Sequence, residues 1–185
     1  MSREPKYTVT DKFLLTIRTV GEVLGELRAR QPTGKTLAEL AIDARELSTY
    51  ASTSIEGNPL GLTDVKRILK TGTERAGDTE REVINYNTAL RNLYGTVRAK
   101  TFTLDTDTIE AIQGQVVDGL MENPFHRGRI RREPVVIRNP RQPDEIVFMP
   151  PDAADVPGLL SGLTDWVNAN VGTIDPVILA GVFHR

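Results

Sequence analysis

Ser52-Thr53-Ser54-Ile55-Glu56-Gly57-Asn58 is the segment whose residue types and spacing carry the most chemistry in this chain. The apolar positions leading into it are Leu37, Leu40, Ala41, Ala44, Leu47, Ala51 and Ile55. They recur at three- and four-residue steps, which places them on one face of a helix. Gly57 and Asn58 are residue types that take a chain out of a helix through a left-handed cap. Glu56 then belongs to the last turn, where the helix end is partially negative and a carboxylate is unfavourable by about 0.3–1 kcal/mol. An arginine or a bound cation would hold it there; a solvated surface glutamate is the alternative. Ser52 lies one turn earlier on the same side, available to bond whatever faces Glu56; a helix-surface serine is the alternative.

Other stretches that could do chemistry are incomplete. Gly34-Lys35-Thr36 ends like a phosphate-binding loop, but Ala29 stands where that loop's first glycine belongs. It reads as a turn before a helix. His126 to Arg132 holds four arginines without interleaved aromatic residues, so nucleic acid is not an expected partner. Within that run, Gly128 and Arg131 read first as turn geometry and a structural ion pair. Asp105 and Asp107 lack the further ligands of a calcium loop, and helix capping accounts for them. His126 and His184 are far apart with no metal-ligand spacing, and no serine–histidine pair can be assembled. No metal site and no complete active site is expected in these 185 residues.

Composition narrows the class. Hydrophobic residues at 39% and charged residues at 26% describe a globular chain with one ordinary core or two small lobes. A formal net charge of −2 gives no global attraction to nucleic acid or an anionic membrane. The absence of cysteine excludes disulfides and thiolate metal sites and fits a reducing cytoplasm. The charged opening (Met1 to Lys6) has no signal-peptide character, and no run is long enough to span a bilayer. A cytoplasmic protein without a membrane partner is the expectation.

The elements that must position these residues are mainly helical. A first stripe (Phe13, Ile17, Val20, Leu24, Leu27) begins at a capping Asp11 and ends in the Gln31-Pro32-Thr33-Gly34 turn. The second helix, about residues 36–57, ends at Glu56. Thr63 is placed to cap a short third helix closed by Gly72, and Thr79 with Glu82 has capping-box spacing before a fourth. Asp107 and Glu110 open a fifth helix that runs to Asn123-Pro124. Val135 with Ile137 and Ile146 with Phe148 alternate as strands, with Asn139 to Asp144 as a long turn between them. That gives one hairpin, about residues 133–149. Two helices follow, the second opened by Asp175-Pro176 and still apolar where the chain stops at Arg185.

This order of features resembles the Fic family, whose members mostly transfer AMP from ATP to a protein hydroxyl. The inhibitory motif of that family, Ser or Thr, three variable residues, Glu, then Gly or Asn, reads here as Ser52, Glu56 and Gly57. Glu82 to Leu90 resembles the start of a core helix. Gly128-Arg129-Ile130-Arg131 with Val135 and Ile137 resembles the approach to the flap hairpin. Phe148-Met149-Pro150-Pro151, Leu163 to Asn168 and Ala180 to His184 resemble the segments that follow it. The resemblance implies a mainly α, Fic-like helical bundle with one β-hairpin flap, incomplete at its C-terminus. It divides the chain into an N-terminal helical region (1–103) and an incomplete Fic core (104–185).

The family's catalytic signature, His-Pro-Phe-x-(Asp/Glu)-Gly-Asn-Gly-Arg-x-x-Arg, is absent from the chain and by family spacing falls beyond Arg185. The resemblance therefore implies the N-terminal part of a self-inhibited protein adenylyltransferase acting on a Ser, Thr or Tyr hydroxyl. ATP and Mg2+ would serve the complete protein, and neither is expected to bind tightly to this segment, which alone should be inactive. Glu56 would pair with the last arginine of the missing signature. Val136, Ile137, Arg138 and Asn139 would form the flap region that touches nucleotide and target, with the target protein docked at the hairpin edge. A glutamate-assisted remover of AMP and a non-catalytic binding module are the alternatives. The oligomeric state, a homodimer included, stays open.

Overall fold

A computed structural model describes residues 5–30, 33–72 and 76–184, which form seven α-helices and one antiparallel two-stranded hairpin. Helices α1 (Asp11–Ala29), α2 (Gly34–Ile55), α3 (Leu62–Thr71), α4 (Asp78–Arg98) and α5 (Thr106–Val116) come first. A 3-10 turn at Pro124–His126 leads to strands β1 (Ile137–Asn139) and β2 (Gln142–Phe148), then α6 (Val156–Asn170) and α7 (Pro176–His184). The architecture is the mainly α bundle with one hairpin that the periodicity predicts. Four stretches lie outside the described residues: Met1 to Glu4, the Gln31-Pro32 half of the expected turn, Thr73 to Arg75 of the loop after α3, and Arg185.

Several helix ends differ from the expectation by local chemistry. Thr10, not Asp11, caps α1, its hydroxyl accepting from Phe13 N at 3.2 Å. Gly61 rather than Thr63 precedes α3. Gly77 rather than Thr79 precedes α4, and with no side chain at that position only half of a capping box forms: Glu80 accepts from Gly77 N at 3.0 Å. Glu82 is thereby free for a tertiary bond. Helix α5 starts from Asp105, which accepts from Thr108 N at 2.7 Å. It ends at Val116 instead of running on to Asn123-Pro124, because the chain turns through Gly119 at φ +70°.

The fully buried apolar cluster is Val65 and Ile68 of α3 with Val83 of α4. Tyr50, Leu60, Leu69 and Ile84 pack around it. Each such buried aliphatic side chain stabilises by about 1.5–3 kcal/mol, so this small cluster fixes the α3–α4 pair. Helix α2 packs on both α3 and α4, and α4 in turn on α5; α5 packs on α6 and α6 on α7.

Helix α2 turns its polar face inward. Its buried residues are Glu46, Thr49 and Thr53, whereas Leu37, Leu40, Ala44, Leu47, Ala51 and Ile55 face outward. The face meeting α3 and α4 is held by polar links. Thr49 and Thr53 hydroxyls donate back to carbonyls of their own helix, at 2.9 Å to Arg45 O and 3.0 Å to Thr49 O. The buried Glu46 carboxylate lies 3.6 Å from Lys66 Nζ, which also reaches Asp43 at 3.3 Å. The hydrogen bond and charge of Asp43, with Glu46 behind it, hold the Lys66 ammonium above its ordinary pKa. The spacing of the apolar residues is as read from the sequence, and the face that meets α3 and α4 is the polar one.

Candidate functional site

The end of α2 is built by a two-bond helix stop. Gly57 N donates to Ser54 O at 3.1 Å and Asn58 N to Thr53 O at 3.0 Å, the paired bonds of a Schellman turn. Gly57 sits at φ +97°, a left-handed conformation that disfavours a side chain even though space is open around it. Glu56 is the capping residue just before, in ordinary backbone (φ −79°, ψ 1°), and its side chain is exposed. Among the described residues no cation forms an ion pair with it. An exposed carboxylate at a helix C-terminus, without an ion-pair partner among the described residues, stands where the helix end disfavours it and a cation would be favourable.

Ser52 does not project freely beside Glu56. It is half-buried, and its Oγ accepts a 2.8 Å hydrogen bond from Tyr86 Oη of α4. Asn58 is 9% exposed and bonds through both ends of its amide: Nδ2 donates to Thr79 O and to Glu82 Oε2, each at 2.9 Å, and Oδ1 accepts from Leu60 N at 3.1 Å. A third link joins Arg45 Nε to Asn87 Oδ1 at 3.1 Å. Asn58, Thr79, Glu82 and Tyr86 are thus site-building residues that reading along the chain missed. The local signal was an asparagine directly after Gly57; the acceptors of its Nδ2, Thr79 O and Glu82 Oε2, lie more than twenty residues away.

The hairpin carries the second group. Its turn is the two residues Pro140-Arg141, tighter than the Asn139–Asp144 turn expected, so Gln142 to Asp144 belong to β2. Ile137 pairs with Phe148, Arg138 with Ile146 and Asn139 with Gln142, the mismatch being absorbed by bulges in the longer strand. Val136 is half-buried, and Ile137 is 55% exposed, so it is no core strand residue. Arg138 Nη1 donates to Pro143 O at 3.0 Å. Asn139 organises the turn, accepting from Arg141 N at 3.0 Å and donating to Glu145 Oε2 at 2.6 Å. Every residue of β2 is exposed, leaving the hairpin as a projecting ribbon.

Its base is held by backbone clamps. Gly128, at φ +62°, lies against α5 so closely that a Cβ there would stand 3.1 Å from Glu110 O. Gly128 N donates to Gln113 Oε1 and Ile130 N to Glu110 Oε1, at 2.5 and 2.8 Å. Among the described residues Arg131 makes no ion pair of the kind expected; it donates to Glu133 O at 3.0 Å and to Pro151 O, tying the two ends of the hairpin together. The ion pair of this region is Arg127 with Asp118. A cleft of about 610 Å³ opens beside this base, lined by Glu110, Arg129, Arg132 and Pro157 among others. Ser52, Glu56 and Gly57 are gathered at one helix end and Val136 to Asn139 on one ribbon, but α2's main packing partners are α3 and α4, not the hairpin. Among the described residues no cluster of His, Cys, Asp or Glu is arranged to hold a metal ion.

A helical bundle with one projecting hairpin is the fold of known Fic-domain structures. A Fic domain containing signaling protein from Bacteroides thetaiotaomicron VPI-5482 superposes with a TM-score of 0.76 at 19% identity, over 89% of this chain and 62% of that one. A Fic family protein from Desulfovibrio desulfuricans G20 gives 0.76 at 23% identity, over 98% and 52%. Fic-1 (residues 134–508) from C. elegans gives 0.69 at 24%, over 94% and 50%. In sequence, the chain is 30% identical over 143 residues to the protein adenylyltransferase fic-1 of Caenorhabditis elegans, covering 75% of this chain and 26% of that protein. No family model matches the chain. The chain belongs to the Fic family. It spans about a quarter of the length of the curated relative (26%) and 50–62% of these solved chains.

Proposed function

We propose that these residues are the N-terminal, regulatory and target-docking part of a self-inhibited protein adenylyltransferase. The observation that carries this reading is Glu56: a solvent-facing carboxylate without an ion-pair partner among the described residues, on a defined helix end, within the Ser52–Glu56–Gly57 motif. The name of the curated relative, a protein adenylyltransferase, agrees with it. The catalytic signature is absent from the 185 residues, and we place it in a following segment. The outward apolar face of α2 is in keeping with further protein packing there. Residues 1–103 then form the helical regulatory region and 104–185 the first part of the catalytic core.

In the complete protein a target hydroxyl would form a bond to the α-phosphorus of ATP as the bond to pyrophosphate breaks, its proton passing to a base. Mg2+ would supply charge neutralisation on the phosphates. The residues of this chain do two things in that scheme. Glu56 accepts the guanidinium of the signature's last arginine as a bidentate partner and so keeps it from the γ-phosphate. The exposed hairpin, with Val136, Ile137, Arg138 and Asn139 toward its tip, offers strand edges to an extended target segment. Glu56→Gly in the full-length protein is expected to raise AMP incorporation from labelled ATP, while residues 1–185 alone incorporate none. Unchanged incorporation by a folded Glu56→Gly variant overturns the inhibitory role, and transfer by residues 1–185 overturns the placement of the catalytic residues.

A further inference from the structure

We propose that Asn58 and Tyr86 are positioning residues for Glu56, holding the last turn of α2 so that the carboxylate stands at one place on the molecular surface. The inference rests on the reading of Glu56 as inhibitory and names what regulates its placement. Glu56 itself makes no anchoring contact with a cation among the described residues, so its location is set by its neighbours in the chain. Both neighbours are tied to one helix. Before Glu56, Ser52 Oγ accepts from Tyr86 Oη at 2.8 Å. After it, Asn58 Nδ2 donates to Glu82 Oε2 and Thr79 O, both at 2.9 Å.

Glu82 and Tyr86 are one turn apart on α4 and therefore lie on the same face. A single stripe of α4 thus grips α2 on either side of the carboxylate. The grip is polar: the residues α2 buries here are threonines and Glu46, with no leucine or isoleucine among them. Such an interface holds by directional bonds, each worth a modest net amount, rather than by apolar area. Removing one bond should loosen the turn without unfolding the α3–α4 cluster. Asn58 is the stronger holder because its amide makes three hydrogen bonds, which no other rotamer keeps together, whereas Tyr86 makes one to Ser52.

The test has two arms. On residues 1–185, backbone hydrogen exchange at Gly57 and Asn58, whose amides donate to Ser54 and Thr53, is measured in the unsubstituted chain, Asn58→Ala and Tyr86→Phe. Exchange about tenfold faster in Asn58→Ala, and several-fold faster in Tyr86→Phe, is expected, with α3 unaffected. In the full-length protein, both variants should raise AMP incorporation about three- to tenfold, less than Glu56→Gly, and should add less than about twofold in a Glu56→Gly background. Ser52→Ala combined with Tyr86→Phe should match either single change, since one bond is lost.

Unaltered exchange at Gly57 and Asn58 overturns the proposal. So does a loss of incorporation in both backgrounds, which would mark a purely structural role. Additivity of Ser52→Ala with Tyr86→Phe would overturn the part assigned to Tyr86 and return Ser52 to a contact of its own. If Glu56→Gly alone changes nothing, the inhibitory reading fails by itself, and the exchange arm still decides whether Asn58 and Tyr86 hold the turn.

Discussion

Asp105 illustrates how one side chain ties helix geometry to pH. Its carboxylate accepts from Thr108 N at 2.7 Å, and that backbone bond, seconded by the Thr108 side chain, holds its pKa below the usual value of 3.8. A carboxyl whose folded pKa is depressed contributes stability above its unfolded pKa and loses it as pH falls through the folded one. The cap of α5 is therefore expected to weaken only in acid. Asp105→Asn keeps an acceptor oxygen but cannot titrate, so it serves as the reference. The difference in urea midpoint between the two proteins should be constant near neutrality and shrink as pH falls below about 3.8. A difference unchanged down to the acid limit would show that the cap is not a charged one. Residues of this kind are partly legible in sequence. Gly57 was readable as a left-handed exit because glycine's freedom is local. Thr10 against Asp11 was not, since adjacent capping types compete for one position and the sequence does not choose between them. Glu82 was misread as a cap because its partner, Asn58, arrives from another helix end.

At the scale of elements, α2 shows why periodicity can be right and still mislead. The spacing of Leu37, Leu40, Leu47 and Ile55 defines a face correctly, yet these side chains are 52, 54, 54 and 81% exposed. Periodicity reports that a face is apolar; it says nothing about which neighbour meets it. The polar face could pack on α3 and α4 because its threonines bond their own helix and Glu46 has Lys66. Leu40→Gln and Leu47→Gln, changes of near-neutral helix propensity, should each shift folding stability by less than about 0.5 kcal/mol and lower the binding of a hydrophobic dye. Ile68→Ala, in the buried cluster, should cost about 2–5 kcal/mol. A cost for Leu47→Gln approaching that of Ile68→Ala would place the outer face in the folding core. The hairpin was legible as an element from its alternating residues, but its turn was not. Pro143 suggested a loop, whereas an edge strand with bulges accommodates it.

At the scale of the whole molecule, packing runs in series from α2, α3 and α4 through α5 to α6 and α7, and α1 has no comparable share in it. The fully buried apolar residues lie between α3 and α4; the other end is closed by Val167 and Leu179, at 8% and 7% exposure. Helix α1 buries no residue at all. Its ion pairs, Arg18 with Glu22 and Arg30 with Glu26, are solvent-exposed and worth only a few tenths of a kcal/mol each. A helix of 19 residues sustained by a threonine cap and two surface pairs is marginal in water. Its first turn is the exception: Phe13 and the preceding Tyr7 line a cavity against α6 and α7, with Tyr7 edge-on to Trp166 at 6.4 Å between ring centres. Native-state hydrogen exchange on this chain should therefore rank α3 and the first half of α4 as the slowest amides. Amides of α1 beyond its first turn should be among the fastest, close to an unprotected peptide. If α1 instead exchanges as slowly as α4, its leucines have found a partner in solution, and the serial packing described here is not the whole of the fold.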